Sequence, residues 1–152
     1  MRLAPEFQKG CVKAMINNIL IPKAYDADAI DSIIACVCEY AELDHHGIAQ
    51  LFMETRVQNI SELRKICAYL IRKHTLTRLE DIVRVFNRKD HSTCIYWVDW
   101  TEKEMVRCDL FKKSISRIEE MRRLMPSESL AVSTHRVRVV RERVRDMEKL
   151  NV

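Results

Sequence analysis

The sequence predicts an all-α protein, and three observations carry that reading. Glycine and proline are scarce, at 2 and 3 in 152 residues. Apolar residues make up 47% of the chain but aromatics only 7%, whereas sheets draw heavily on aromatic side chains. Apolar residues recur at intervals of three and four, the period of a helix with one buried face.

Each element follows from that period. Phe7, Cys11, Ala14, Met15 and Ile19 share one side of a helix over 5–20, which Ile21-Pro22 breaks. Asp26 or Asp28 can cap the next helix, which carries Ile30, Ile33, Ile34, Val37 and Tyr40 to about Leu43. Asp44 to Gly47 reads as a turn, and a short helical piece over 45–52 presents Ile48, Leu51 and Phe52. A loop over 53–58 follows. Asn59 or Ser61 then starts a helix to about 75, with Ile60, Leu63, Ile66, Cys67 and Leu70 as its stripe. Leu79, Ile82, Val83 and Phe86 form the apolar face of a short helix that ends at the polar stretch Asn87 to Lys89. From Asp90 helical character runs to about Met125, either as one long helix or as two joined near Cys108-Asp109. Pro126-Ser127 is a break. A last helix over 129–149 sets Val137, Val140, Val144 and Met147 on one stripe and Arg138, Arg141 and Arg145 on another.

The expected core includes Ile34, Val37, Ile66, Leu70, Leu79, Ile82 and Phe86. Ile95, Tyr96, Trp97, Val98 and Trp100 are expected to join it, because aromatic residues along a helix usually pack inward. The apolar stripe of the last helix must cover a surface, either the chain's own long helix, with the arginines outward, or a second copy in a homodimer. The organisation expected is an N-terminal helical extension over 1–25, a central domain over 26–106 and a C-terminal helical extension over 107–152.

Composition narrows the function classes. No run approaches the ~18–20 apolar residues that span a membrane, and the start lacks a signal peptide's apolar stretch and cleavage site. A soluble, cytoplasmic protein is expected. The six cysteines form no C-x-x-C pair and mostly sit among apolar neighbours, so buried thiols are preferred over zinc or disulfides. His45-His46 lacks a convincingly spaced acidic or thiol partner and reads as a solvated turn. A nucleotide-hydrolysing module needs a Gly-rich loop ending in Gly-Lys-Ser/Thr, to surround phosphates with backbone N–H groups and a lysine. Gly10 and Gly47 stand in unrelated contexts, so no such loop exists here, nor is there a nucleophile elbow or an H-E-x-x-H pair. The expectation is a non-enzyme without cofactor. Net charge is +4, but residues 30–100 hold nine Lys/Arg against ten Asp/Glu, while 101–152 hold thirteen against nine.

The most informative stretch is Arg88-Lys89-Asp90-His91-Ser92-Thr93, just after the short helix of Leu79 to Phe86. Asp90 can cap a second helix whose first turn carries His91, Ser92 and Thr93. Helix, tight polar turn and helix with a hydrogen-bonding first turn is the sequence form of a helix-turn-helix, whose second helix enters the major groove of duplex DNA by its N-terminal residues.

The same residues carry a family likeness. Arg64-Lys65-Ile66-Cys67-Ala68-Tyr69-Leu70, then Leu79-x-x-Ile82-x-x-x-Phe86, then Arg88-Lys89-Asp90-His91-Ser92-Thr93, resembles the C-terminal DNA-binding domain of the bacterial replication initiator family, DnaA. The family pattern is R-Q-I-A-M-Y-L followed by S-L-x-x-I-G-x-x-F-G-x-[RK]-D-H-[ST]-T. The likeness extends from Ile30 over about 70 residues.

The resemblance implies double-stranded DNA as partner and a set of contacts. Arg56, in the loop before the Arg64 helix, stands where the family sends an arginine into the minor groove. Arg64 matches a residue that meets the DNA, and Lys65 replaces the usual glutamine, which changes what that position can bond. Arg88 and Lys89 would meet phosphates; Asp90, His91, Ser92 and Thr93 would meet bases and phosphates. The loop departs from the family in holding one base and one acid over Met53 to Gln58. The expected function is therefore sequence-specific duplex binding, regulating replication or transcription at initiator-like sites in the nucleoid. The alternative is a protein-interaction module that keeps the fold and has weakened DNA binding. The Met1 start points to a complete small protein, from a phage or mobile element.

Overall fold

The computed structural model describes residues 26–150. The expected helix over 5–20 and the whole 1–25 extension lie outside those residues. Seven helices follow in order: α1 Ala27–Tyr40, α2 His45–Phe52, α3 Gln58–His74, α4 Leu79–Val85, α5 His91–Arg107, α6 Asp109–Leu124 and α7 Ser127–Leu150. No strand occurs among the described residues.

Local chemistry sets the boundaries. Asp26 caps α1 by accepting from the Ala29 N–H at 3.2 Å, and Asp44 caps α2 by accepting from the Gly47 N–H at 2.8 Å. Capping by Asp44 turns the expected 44–47 turn into the first turn of α2. A side chain at Gly47 would crowd Leu43, since a Cβ there would lie 3.1 Å from Leu43 Cδ2. The long segment after Asp90 is two helices. Cys108 takes an extended backbone, with φ −133° and ψ 112°, and separates α5 from α6. The last helix starts two residues before the expected 129. The Pro126 carbonyl accepts from the Leu130 N–H at 2.9 Å, so α7 begins at Ser127.

α1 lies at the centre. Ile30, Ile33, Ile34 and Val37 are buried, and the helix packs on α3, α6 and α7. Ile66, Leu70, Ile82 and Phe86 are buried as expected, but Leu79, the first residue of α4, is only half-buried. Phe52 and Phe86 stack at 5.7 Å between centroids, and Trp97 meets Phe86 edge-on at 5.8 Å. Those three rings join α2, the α4–α5 turn and α5. Ile95 and Tyr96 correct the expectation of a core role, being 50% and 56% exposed; on α5 they face away from the side that Cys94 and Trp97 bury. Cys36, Cys38, Cys67 and Cys94 are buried free thiols. Burial pushes the Cys38 thiol up to about 12 and Cys94 up to about 11, so both stay protonated at neutral pH.

The last helix departs most from expectation. It packs within the chain, but on α1 and α2 rather than back along α6. Val137, Val140 and Val144 are buried, whereas Met147 is exposed. The arginines are not all outward. Arg141 is 5% exposed and pairs with Asp31 of α1, which is 0% exposed. Arg138 adds a bond to the same carboxylate at 2.9 Å and a second to Asp28. Ser133 Oγ donates to Glu39 at 2.8 Å further along α1. Arg141 turns inward because the buried Asp31 of α1 faces it, and Arg138 bridges Asp31 and Asp28.

Removing the Asp31 carboxylate would strand a buried guanidinium. Asp31→Ala is expected to lower stability by about 3–5 kcal/mol, read as a drop in the urea midpoint. A loss below ~1 kcal/mol, the range of surface pairs, would contradict a buried pairing of Asp31 with Arg141.

Candidate nucleic-acid interface

The turn between α4 and α5 is built by two caps back to back. At the end of α4, the Arg88 N–H donates to Val83 O at 2.8 Å and the Asn87 N–H to Arg84 O at 3.0 Å, the double closure of a Schellman motif. That motif needs a left-handed residue, and Asn87 supplies it with φ 59°. Asparagine tolerates this conformation better than most side chains. It stands where the family pattern has a glycine. At the start of α5, Asp90 Oδ1 accepts from the Ser92 N–H at 3.0 Å. That backbone bond holds the Asp90 carboxyl below its ordinary value.

A third set of bonds fixes where the turn sits. The last carbonyls of a helix have no partner within it, and at the end of α2 two side chains satisfy them. Arg64 Nε donates to Leu51 O at 2.9 Å, and Arg64 Nη2 donates to Gln50 O and Met53 O, each at 3.0 Å. Asn87 Nδ2 donates to Phe52 O at 2.7 Å. α2, the start of α3 and the α4–α5 turn thus close on one point.

Arg64 is 3% exposed. Arg64 was expected to meet DNA; in this structure its guanidinium donates to the α2 carbonyls and ties the end of α2 to α3. Burial, with the nearby Arg88 charge, pulls its pKa down to about 10, so it remains a cation at neutral pH.

Most of the other expected residues lie at the surface. Lys89, Asp90, His91 and Ser92 are exposed at the N-terminal end of α5, and Thr93 is half-buried. Arg88 is half-buried, with Nη1 donating to Phe86 O at 3.2 Å. Arg56 is exposed in the loop before α3. Lys65 sits beside α5, its Nζ 4.4 Å from the Trp100 centroid and 5.3 Å from that of Tyr96. The face has the polarity that a helix N-terminus offers an anion: free N–H groups, a positive dipole end and flanking cations.

Residues 30–100 match the family described as the bacterial DnaA protein helix-turn-helix. This segment is DnaA-like. It holds α1 to α5 up to Trp100. Named relatives agree: the chain is 28% identical over 104 residues to the chromosomal replication initiator protein DnaA of Gloeobacter violaceus, covering 68% of this chain and 23% of that one. It is 34% identical over 73 residues to DnaA of Aquifex aeolicus, covering 48% and 18%, and 40% identical over 78 residues to DnaA of Microcystis aeruginosa, covering 51% and 17%. The chain thus spans less than a quarter of the length of these relatives. No solved structure matches it.

Two residues of the DnaA-like segment escaped the sequence reading. Asn87 was legible in principle, because it fills the glycine slot of the pattern and so had to tolerate φ > 0. Tyr96 gave no such signal, since its exposure depends on how α5 is rotated against α3.

Two outcomes follow. Arg64→Ala should lower stability by about 1.5–3 kcal/mol, the range for bonds from a charged donor, measured by chemical denaturation without DNA. An unchanged midpoint would contradict this tie between α2 and α3. Because the Asp90 carboxyl is held below its ordinary value of 3.8, its cap is present above that pH and lost as pH falls through the lower folded value. Hydrogen-exchange protection at the start of α5 should fall over that range and show no such step in Asp90→Ala.

Proposed function

We propose that this protein binds double-stranded DNA sequence-specifically through the N-terminal turn of α5, at sites resembling the initiator boxes of the DnaA family. One observation carries the reading. Lys89, Asp90, His91 and Ser92 stand exposed at the start of a 17-residue helix, at the end of a turn closed on both sides, within a segment that matches the DnaA helix-turn-helix. His91 and Ser92 bond base edges and phosphates, and the free Asp90 oxygen accepts from a cytosine amino group. Arg88 and Lys89 meet the backbone on the turn, Thr93 supports the same turn, and Arg56 enters the minor groove. The protein acts as a regulator of replication or transcription in the cytoplasm, associated with the nucleoid, and without catalysis. It reads one site per chain, since α1 and α2 already cover the valine stripe that would otherwise drive a homodimer.

A second reading has one observation in its favour. The loop over 53–57 offers Arg56 as its single base beside Glu54. That favours a protein-interaction module in which the fold persists and duplex affinity is weak.

Fluorescence anisotropy with an initiator-box duplex and a scrambled duplex, at fixed salt, separates the two. The DNA reading expects preference for the box. It expects His91→Ala to weaken box binding by roughly 1–3 kcal/mol and to relax the preference. Equal, weak binding of both duplexes by the parent, unchanged in His91→Ala, would sustain the second reading instead.

A further inference from the structure

We propose that Lys65, Tyr96 and Trp100 form a phosphate clamp on the flank of the recognition helix, replacing cations that the loop before α3 lacks. The proposal rests on duplex binding by α5 and assigns this cluster a role within it.

The geometry holds the Lys65 ammonium against two rings. Its ammonium lies 4.4 Å from the Trp100 centroid and 5.3 Å from the Tyr96 centroid, within the ~6 Å at which a ring face attracts a cation. Asp99, the acid on the adjoining turn of α5, pairs with Lys103 at 2.9 Å. Trp100 is itself held edge-on by Phe111 of α6 at 5.8 Å. The indole is therefore fixed from behind, and it fixes the ammonium in turn. Lys65 itself is half-buried, and Tyr96 beside it is 56% exposed.

Position decides between base and phosphate. A recognition helix meets bases with its N-terminal residues. At ~1.5 Å rise per residue, Tyr96 lies about 7.5 Å and Trp100 about 13.5 Å further along α5 than His91. A cation held there has passed the groove floor and stands level with its wall, the sugar–phosphate backbone. Lysine at this position cannot make the paired adenine bonds of the family's glutamine, but a point charge suits a phosphate. Tyr96 holds the ammonium from the side and offers its hydroxyl to the same oxygen.

Salt dependence of binding tests this, using the full chain with box and scrambled duplexes. Lys65→Gln, which restores the family's residue, should reduce the slope of log K against log salt by about 0.9, one phosphate. The box-to-scrambled ratio should stay within twofold of the parent. Lys65→Arg should keep the parent slope. Tyr96→Leu should weaken both duplexes by the same factor. Parent-like slope in Lys65→Gln, or a changed ratio in either Lys65→Gln or Tyr96→Leu, overturns the clamp while leaving duplex binding intact. A parent that binds neither duplex at low salt overturns the DNA reading itself, and the clamp with it. Melting curves confirm that each variant is folded.

Discussion

The four carbonyls at the end of α2 are the constraint on which the site depends. Gln50, Leu51, Phe52 and Met53 lie in the last turn of a short helix, and Leu51 and Phe52 are fully buried. Arg64 from α3 takes three and Asn87 from the α4–α5 turn takes the fourth. Each bond links elements far apart in sequence, so the turn cannot drift without leaving a donor or an acceptor unmade. The stacked Phe52 and Phe86 lie beside the same junction and are fully buried. A charged donor in a dry place costs desolvation, which the lowered Arg64 pKa records, and three bonds offset that cost. The outer residues of α5 present a fixed pattern because the inner Arg64 and Asn87 hold the turn beneath them.

A second constraint lies on the opposite side of α1. Asp31 is fully buried on the central helix, and a lone carboxylate there would be untenable. Arg138 and Arg141 of α7 neutralise it, while Val137, Val140 and Val144 bury beside it. α7 lies beyond the segment that matches the DnaA family, yet Asp31 lies inside it. Among the described residues, the acid on this central helix is satisfied from the C-terminal helix alone. α6 is tied in separately, through Lys73 and His74 of α3 on Glu119 and through Arg122 on Ser32.

Charge is distributed to match. The DnaA-like segment is close to neutral and its pre-α3 loop carries little positive charge. Cations of this segment are placed one at a time: Arg56 on the loop before α3, Lys89 on the turn, Lys65 against two rings of α5. Such a face depends more on the placement of each charge than on a strong overall field, since surface charges beyond a Debye length are screened.

Period and capping chemistry by themselves determined much of this protein. The helical stripes of Ile30 to Val37 and Ile60 to Leu70, the caps at Asp26 and Asp90, and the motif from Arg64 to Thr93 are local or pattern-borne, and the helices form where those residues require. What the sequence left open was decided by tertiary contact. Whether the stretch after Asp90 was one helix or two rested on Cys108, whose extended backbone no propensity dictates. Arg64 and Arg141 look like surface cations in sequence; each is buried because a distant partner, the α2 carbonyls or Asp31, sits opposite. Tyr96 looks like core and is exposed, because Cys94 and Trp97 set the rotation of α5. A residue's period says which side of its own helix it occupies. Only the packing of other helices says what that side meets.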